Sequence, residues 1–185
     1  MRHFVKYMIL EHIQICSNTS TYCLIIVAPP VKFSHYQNPH DKMPPMNWYK
    51  TALEISTRGK GLHDITETVR VQLHSWNVQE GMCFLFLPHT SASLVLSENW
   101  DPTARADLET FMERLVPERG DWYTHDLEGP DDATSHIRAM LTDTRVTIPV
   151  DNGNLSLGTW QGIYIFEHRA RPHRRNVLMR VLSVE

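Results

Sequence analysis

The sequence predicts an α+β domain over residues 48–185, with a sheet-rich, sandwich-like, mostly antiparallel core, two main helices and one short helix. Three observations point there. Apolar and polar residues alternate over 51–57 and 177–184, as in half-buried strands, and the continuous apolar run 82–87 reads as a central strand. Two other segments carry apolar residues at helical spacing, each behind a good N-cap. Asp151-Asn152-Gly153-Asn154, set between apolar runs, is a hairpin signal that folds neighbouring strands back antiparallel.

Residues 1–47 have no sustained period and end among Pro39, Pro44 and Pro45, so they are expected to be an irregular extension, disordered or not native. After the strand 51–57, Gly59 and Gly61 turn the chain. Asp64 is the expected N-cap of a helix over 65–77, with Glu67 completing a capping-box-like pair, and Ile65, Val69, Leu73 and Trp76 form its inner face. Gly81 opens the strand 82–87, Pro88 stops it, and strand character resumes over 91–97. Asp101-Pro102 starts the second helix, with Pro at the position where its missing N–H costs nothing. Leu108, Phe111, Met112 and Leu115 are expected to be its buried stripe, and Pro117 ends it. A polar stretch leads to a short helix over 132–141, followed by strands over 145–150, 162–167 and 177–184.

A net charge of −3 argues against a nucleic-acid binder held by phosphate contacts. Cys16, Cys23 and Cys83 cannot supply a disulfide framework for 185 residues, and Cys83 reads as a buried free thiol in a reducing compartment. No stretch reaches the ~18–20 apolar residues of a membrane span, and the apolar run 23–28 is too short for a signal-peptide core. The expected location is the cytoplasm, with no membrane partner.

Four histidines sit at element ends, where a rigid scaffold presents reactive groups: His89, His125, His136 and His168. Neutral imidazole is a common metal ligand, although a hydrogen-bonded structural role is the alternative for each, and no HxH or HExxH pair is present. The loop 121–132 holds Asp121, Asp126, Glu128, Asp131 and Asp132 without a basic residue; it is either a solvated loop or a set of oxygens suited to Mg²⁺. Arg169, Arg171, Arg174, Arg175 and Arg180 follow His168, as an exposed basic turn or as partners for phosphate oxygens. Trp160, between Gly158 and Gly162, either stacks on an aromatic substrate or plugs the core. Ser91 and Ser93 lack the nucleophile elbow of a serine hydrolase.

The segments Pro88-His89-Thr90-Ser91-Ala92, Glu98-Asn99 with Asp101-Pro102, 123–137 (YTHDLEGPDDATSHI) and 157–169 (LGTWQGIYIFEHR) together resemble the YjbQ-like family, also called the secondary thiamine-phosphate synthase family. The resemblance covers residues 48–185 and implies a small α+β fold assembled as a homotrimer. It implies a zinc-like metal near the histidines; with the acidic loop, the expected cofactor is a divalent metal, zinc or magnesium, and His125, His136 and His168 are its expected ligands. By it His89, His125, His136 and His168 fall on the family's motif histidines, Glu128 and Asp131 in its acidic turn, and Arg169 after its terminal Glu-His; His89, His136, Glu128 and Asp131 are the expected catalytic residues, and Ser91, Trp160, Arg169 and Arg174 the expected substrate-binding ones. The implied activity is a weak, metal-assisted transfer joining a pyrimidine diphosphate to a thiazole phosphate, so the expected partner is a small phosphorylated heterocycle. The alternatives are a metal-dependent hydrolase and a trimeric metal- or metabolite-binding protein. One departure from the family pattern is Asp132, which stands where Asn is usual.

Overall fold

The computed structural model describes residues 44–184 throughout and, upstream of them, only the backbone of 9–10, 13–18 and 21–25. The chain divides into two units, Met1–Met43 and Pro44–Glu185. In the first, strands β1 (Ile9–Leu10), β2 (Ile13–Asn18) and β3 (Thr21–Ile25) pair antiparallel in that order. The expected irregular extension falls for the most part outside the described residues.

The second unit begins with β4 (Met46–Thr57), β5 (Gly61–Asp64) and α1 (Thr66–Ser75). Next come β6 (Gly81–Phe86), β7 (Ala92–Glu98), α2 (Pro102–Leu115) and α3 (Asp132–Leu141). It ends with β8 (Arg145–Asp151), β9 (Asn154–Leu155), β10 (Gln161–Glu167) and β11 (His173–Val184). The strands form two antiparallel sheets, a five-stranded one in the order β4-β11-β6-β8-β9 and a three-stranded one in the order β5-β10-β7. The predicted α+β sandwich is therefore the fold.

The alternation seen in the sequence becomes the core. Leu53, Cys83, Leu85, Val146, Ile148, Val150, Val177, Met179 and Val181 of the larger sheet meet Ala92, Leu94, Ile163 and Ile165 of the smaller one. Helix α1 contributes Val69 and Leu73, with Ile65 just ahead of it. Burial pushes the Cys83 thiol up to about 12, so it stays protonated and inert. Strand β10 reads as an unbroken apolar run because both its faces are covered: Ile163 and Ile165 face the sandwich, while Tyr164 and Phe166 join Leu62, Met112 and Val116 under the helices. The hairpin signal is a tight turn between β8 and β9, with Asn152 and Gly153 at φ +51° and +77°.

Three details differ from expectation. The Gly59–Gly61 turn leads directly into β5, a short edge strand that pairs with β10. Asp64 accepts from the Thr66 N–H at 2.8 Å, but Ile65 is the N-cap residue, so the helix starts one position later than the cap signal indicated. Of the four residues expected to line the inner face of α2, only Met112 is buried; Leu108, Phe111 and Leu115 are 40%, 60% and 53% exposed. The helix meets the small sheet mainly at edge strand β5, so one line of side chains reaches the core and its neighbours face outward.

Candidate metal centre

The first turn of α3 brings the site together. Asp132 opens the helix and His136 lies four residues on, a spacing that puts both side chains on one face. The loop before the helix delivers His125. One donor atom from each of His125, Asp132 and His136 lies within 4.8 Å of the others. Around zinc, with bonds near 2.1 Å, tetrahedral ligand atoms stand ~3.4 Å apart, so the group would close by at most about 1.4 Å on binding. Asp132 Oδ2 is 2.9 Å from His125 Nε2, and Asp132 Oδ1 is 3.4 Å from His136 Nε2.

The state of these atoms favours a cation. Asp132 is 1% exposed, yet its Oδ2 receives no hydrogen bond from any described residue, because the His125 ring is near but not aligned to donate. A buried carboxylate oxygen without a donor is costly unless something positive completes it. His136 Nδ1 lies 2.9 Å from the Thr90 carbonyl. A carbonyl only accepts, so Nδ1 carries a proton, and in the neutral ring Nε2 then presents its lone pair on the side of Asp132; a hydrogen bond behind the ring sets the tautomer of a metal-binding histidine in this way. Arg169 supports the carboxylate: its Nη1 makes a short contact with Asp132 Oδ1, its Nη2 donates to the Glu128 carbonyl at 2.8 Å, and its Nε is 3.3 Å from Asp131 Oδ2. Asp131 also accepts from the Ala170 N–H at 2.7 Å. Burial opposes ionisation of Asp131, but this N–H and the Arg169 guanidinium outweigh it and hold the carboxyl below its usual range.

The other expected site residues lie around this group or away from it. His89 accepts from the Asn176 N–H through Nε2 at 3.0 Å, which leaves Nδ1–H as its ring donor. Burial, then the charge of Arg175, pushes its pKa down, so it stays neutral. Glu128 is largely exposed, 3.7 Å from Arg169. His168 is not in the three-residue group. It is fully buried, 2.9 Å from Ser93 Oγ through Nε2 and tilted against the Phe166 ring at 4.7 Å between centroids, and burial followed by the Arg138 charge pushes its pKa down to about 3. Ser91 Oγ accepts from Arg175 Nη2 at 3.0 Å. Arg174 is exposed beside Glu54 on the outer face of the larger sheet. Trp160 stands before the opposite end of β10, edge-on to Trp100 at 5.3 Å between ring centroids. Asp132 was not singled out as a ligand, although its i,i+4 relation to His136 was a legible signal.

Two cavities flank the group. One of about 510 Å³ is lined by Arg119, Tyr123, His125, Asp126 and Ala133, among others. The other, about 590 Å³, is lined by His89, Thr90, His136, Ala139, Met140 and Thr144. Both are within the size range of small-molecule sites.

Fold and site together define a small α+β sandwich protein with a His–Asp–His group between two open cavities. The chain belongs to the UPF0047 YjbQ-like family, whose model matches residues 51–184. It is 46% identical to a UPF0047 protein of Synechocystis over 72% of this chain and 90% of that one. It is 43% identical to the UPF0047 protein YjbQ of Escherichia coli O157:H7 over 71% and 95%. A solved YjbQ/UPF0047 structure from Clostridium acetobutylicum superposes with a TM-score of 0.62 at 34% identity, covering 72% of this chain and 98% of that one. A YbjQ-like protein of Sulfolobus solfataricus shares the fold, with a TM-score of 0.68 at 24% identity and coverage of 75% and 99%.

Proposed function

We propose that the protein is a metal-dependent hydrolase in which His125, Asp132 and His136 hold a divalent cation. The observation that carries this reading is the buried Asp132 Oδ2, left without a hydrogen-bond donor beside two imidazoles. Two nitrogens and one carboxylate oxygen suit zinc better than magnesium, which takes oxygen ligands, and three protein ligands leave a coordination position open for chemistry. Bound there, the cation supplies Lewis acidity, polarising a substrate oxygen and making water acidic near neutral pH. The chain's own residues do the rest. Arg169 holds Asp132, and the Thr90 carbonyl orients His136. Glu128, largely exposed and 3.7 Å from Arg169, is the carboxylate we assign as proton acceptor. His89 keeps its Nδ1–H available as a hydrogen-bond donor to substrate in the second cavity.

Three of the arginines expected to meet phosphate are not disposed to do so, which weakens the transfer between phosphorylated heterocycles that the family resemblance implies. Arg169 is committed to three backbone and side-chain acceptors, Arg175 is buried against Glu167, and Arg174 is on the outer sheet face. One observation still supports a two-substrate transferase: a cavity opens on each side of the metal group, one beside His125 and one beside His136. Met46, Trp48, Phe86 and Val184 are exposed on the outer face of the larger sheet, an apolar surface that supports self-association, and we take the assembly to be the homotrimer that the family resemblance implies. No helix among the described residues is long and apolar enough to cross a membrane; we take the cytoplasm as the protein's location.

The test is turnover by wild type and His136→Ala at matched metal content. Substrates would be a panel of phosphoesters and amides, and separately the pyrimidine diphosphate and thiazole phosphate pair. We expect hydrolysis by the wild type, lost in the variant. Full activity in His136→Ala would rule out a mechanism centred on this group, and condensation of the pair without hydrolysis would favour the transferase.

A further inference from the structure

We propose that Glu167, the last residue of β10, is a positioning residue on which both supports of the metal group converge; this rests on the metal reading above. Glu167 is fully buried, and its two oxygens take bonds from three neighbours. Oε2 accepts from Thr57 Oγ1 at 2.8 Å and from Arg175 Nε at 2.7 Å. Oε1 accepts from the Arg169 N–H at 3.0 Å and from Arg175 Nη2 at 2.5 Å. The carboxylate is therefore locked in both orientation and charge.

From it run two arms. Along the first, the bond to the Arg169 N–H fixes the backbone from which the Arg169 side chain reaches Asp132, Asp131 and the Glu128 carbonyl. Along the second, Arg175 reaches past Glu167 to Ser91, donating through Nη2 to its Oγ at 3.0 Å and its carbonyl at 3.4 Å. The adjacent Thr90 carbonyl is the acceptor that sets the His136 ring. Asp132 and His136 are thus held by supports that share one buried anion. Outer supports of this kind influence metal affinity strongly although they touch no metal.

The experiment uses the full chain, Zn²⁺ in competition with a chromophoric chelator, and Co²⁺ as a spectroscopic probe of ligand geometry. Glu167→Gln, which removes the charge and two acceptor positions, is expected to weaken Zn²⁺ binding about 10–100-fold and to change the visible Co²⁺ spectrum. Arg175→Lys keeps the buried charge pair but cannot span Glu167 and Ser91 with one ammonium; it cuts only the second arm, and a loss of several-fold is expected. Leu73→Ala, in the core under α1, should lower the melting temperature without changing the Zn²⁺ Kd or the Co²⁺ spectrum. Folded Glu167→Gln with wild-type Kd and spectrum would overturn the proposal. If that variant does not fold, Arg175→Lys decides, and wild-type affinity in it overturns the proposal. Equal weakening in Leu73→Ala would also overturn it, since the effect would then be one of general stability. Failure of the wild type to bind either ion would defeat the metal reading itself, whereas binding unaffected by these variants would defeat the positioning role alone.

Discussion

The two faces of the small sheet bury different chemistry. Its inner face sends Ile163, Ile165 and Leu94 into an apolar sandwich that turns polar only at its end, at Glu167, Arg175 and Thr57. Its helix face has a smaller apolar cluster of Leu62, Met112, Val116, Tyr164 and Phe166, and beyond that cluster the buried residues are mostly polar, among them Ser93, Asp131, Asp132, Thr134, Ser135, Arg138, His168 and Arg169. Some of these polar groups find partners: Ser135 Oγ donates to the Asp132 carbonyl, and Arg138 donates twice to the Val116 carbonyl at the end of α2, where a cation also complements the helix dipole, whereas Asp132 Oδ2, Thr134 Oγ1, His168 Nδ1 and Arg169 Nε have no hydrogen-bond partner among the described residues. The inner face supplies stability. The helix face uses that stability to keep polar groups out of water, and the candidate metal centre lies at the edge of that burial, with Asp132 buried and His125 and His136 open to solvent.

Four perturbations test this contrast, from the largest expected effect to the smallest. Ile165→Ala should cost about 2–5 kcal/mol in chemical denaturation, as for a large side chain removed from a packed core; a loss below 1 kcal/mol would mean the inner face is not the main source of stability. The acid response should report on the helix face. His168 titrates near 6.5 when unfolded and about 3 when folded, so its contribution is complete above the unfolded value and is lost as pH falls between the two, at about 1.4 kcal/mol per pH unit. In the presence of a chelator, stability measured from pH 7 to pH 4 should show this slope, and His168→Gln should flatten it. An unchanged slope would place the acid sensitivity elsewhere.

Gly153→Ala should cost about 1 kcal/mol, because its φ of +77° strains any residue with a Cβ, while that Cβ would meet nothing closer than Gln79 at 3.5 Å. A larger loss would show that the β8–β9 hairpin also sets the register of the larger sheet. Phe111→Ser, on the exposed side of α2, should change stability by less than about 0.5 kcal/mol. A loss matching that of Ile165→Ala would mean this helix face is covered in solution.

Most of the fold was legible because its signals are local and periodic. Asp101-Pro102 caps α2 as expected, with Asp101 Oδ1 accepting from the Thr103 N–H at 2.8 Å, and α3 runs over the predicted residues. The face of α2 was misread because sequence spacing gives a stripe but not how much of it a neighbour reaches. Edge strand β5 is not legible in the sequence, because a four-residue strand that begins on a glycine carries too little pattern. In the site, the histidines and acids were identified, but their division of labour was not. Nothing local to His168 says that it ends a strand in full burial beside Ser93, or that Asp132 loses every hydrogen-bond donor for one oxygen. Those are consequences of α3 packing against β7 and β10, contacts remote in sequence.

The most direct test is Zn²⁺ binding to protein purified without an affinity tag, comparing wild type with Asp132→Asn and His168→Gln. The account predicts about one ion per chain in the wild type, affinity lowered by about 100-fold or more in Asp132→Asn, and near-wild-type affinity in His168→Gln. No binding by the wild type, or loss in His168→Gln with retention in Asp132→Asn, would contradict it.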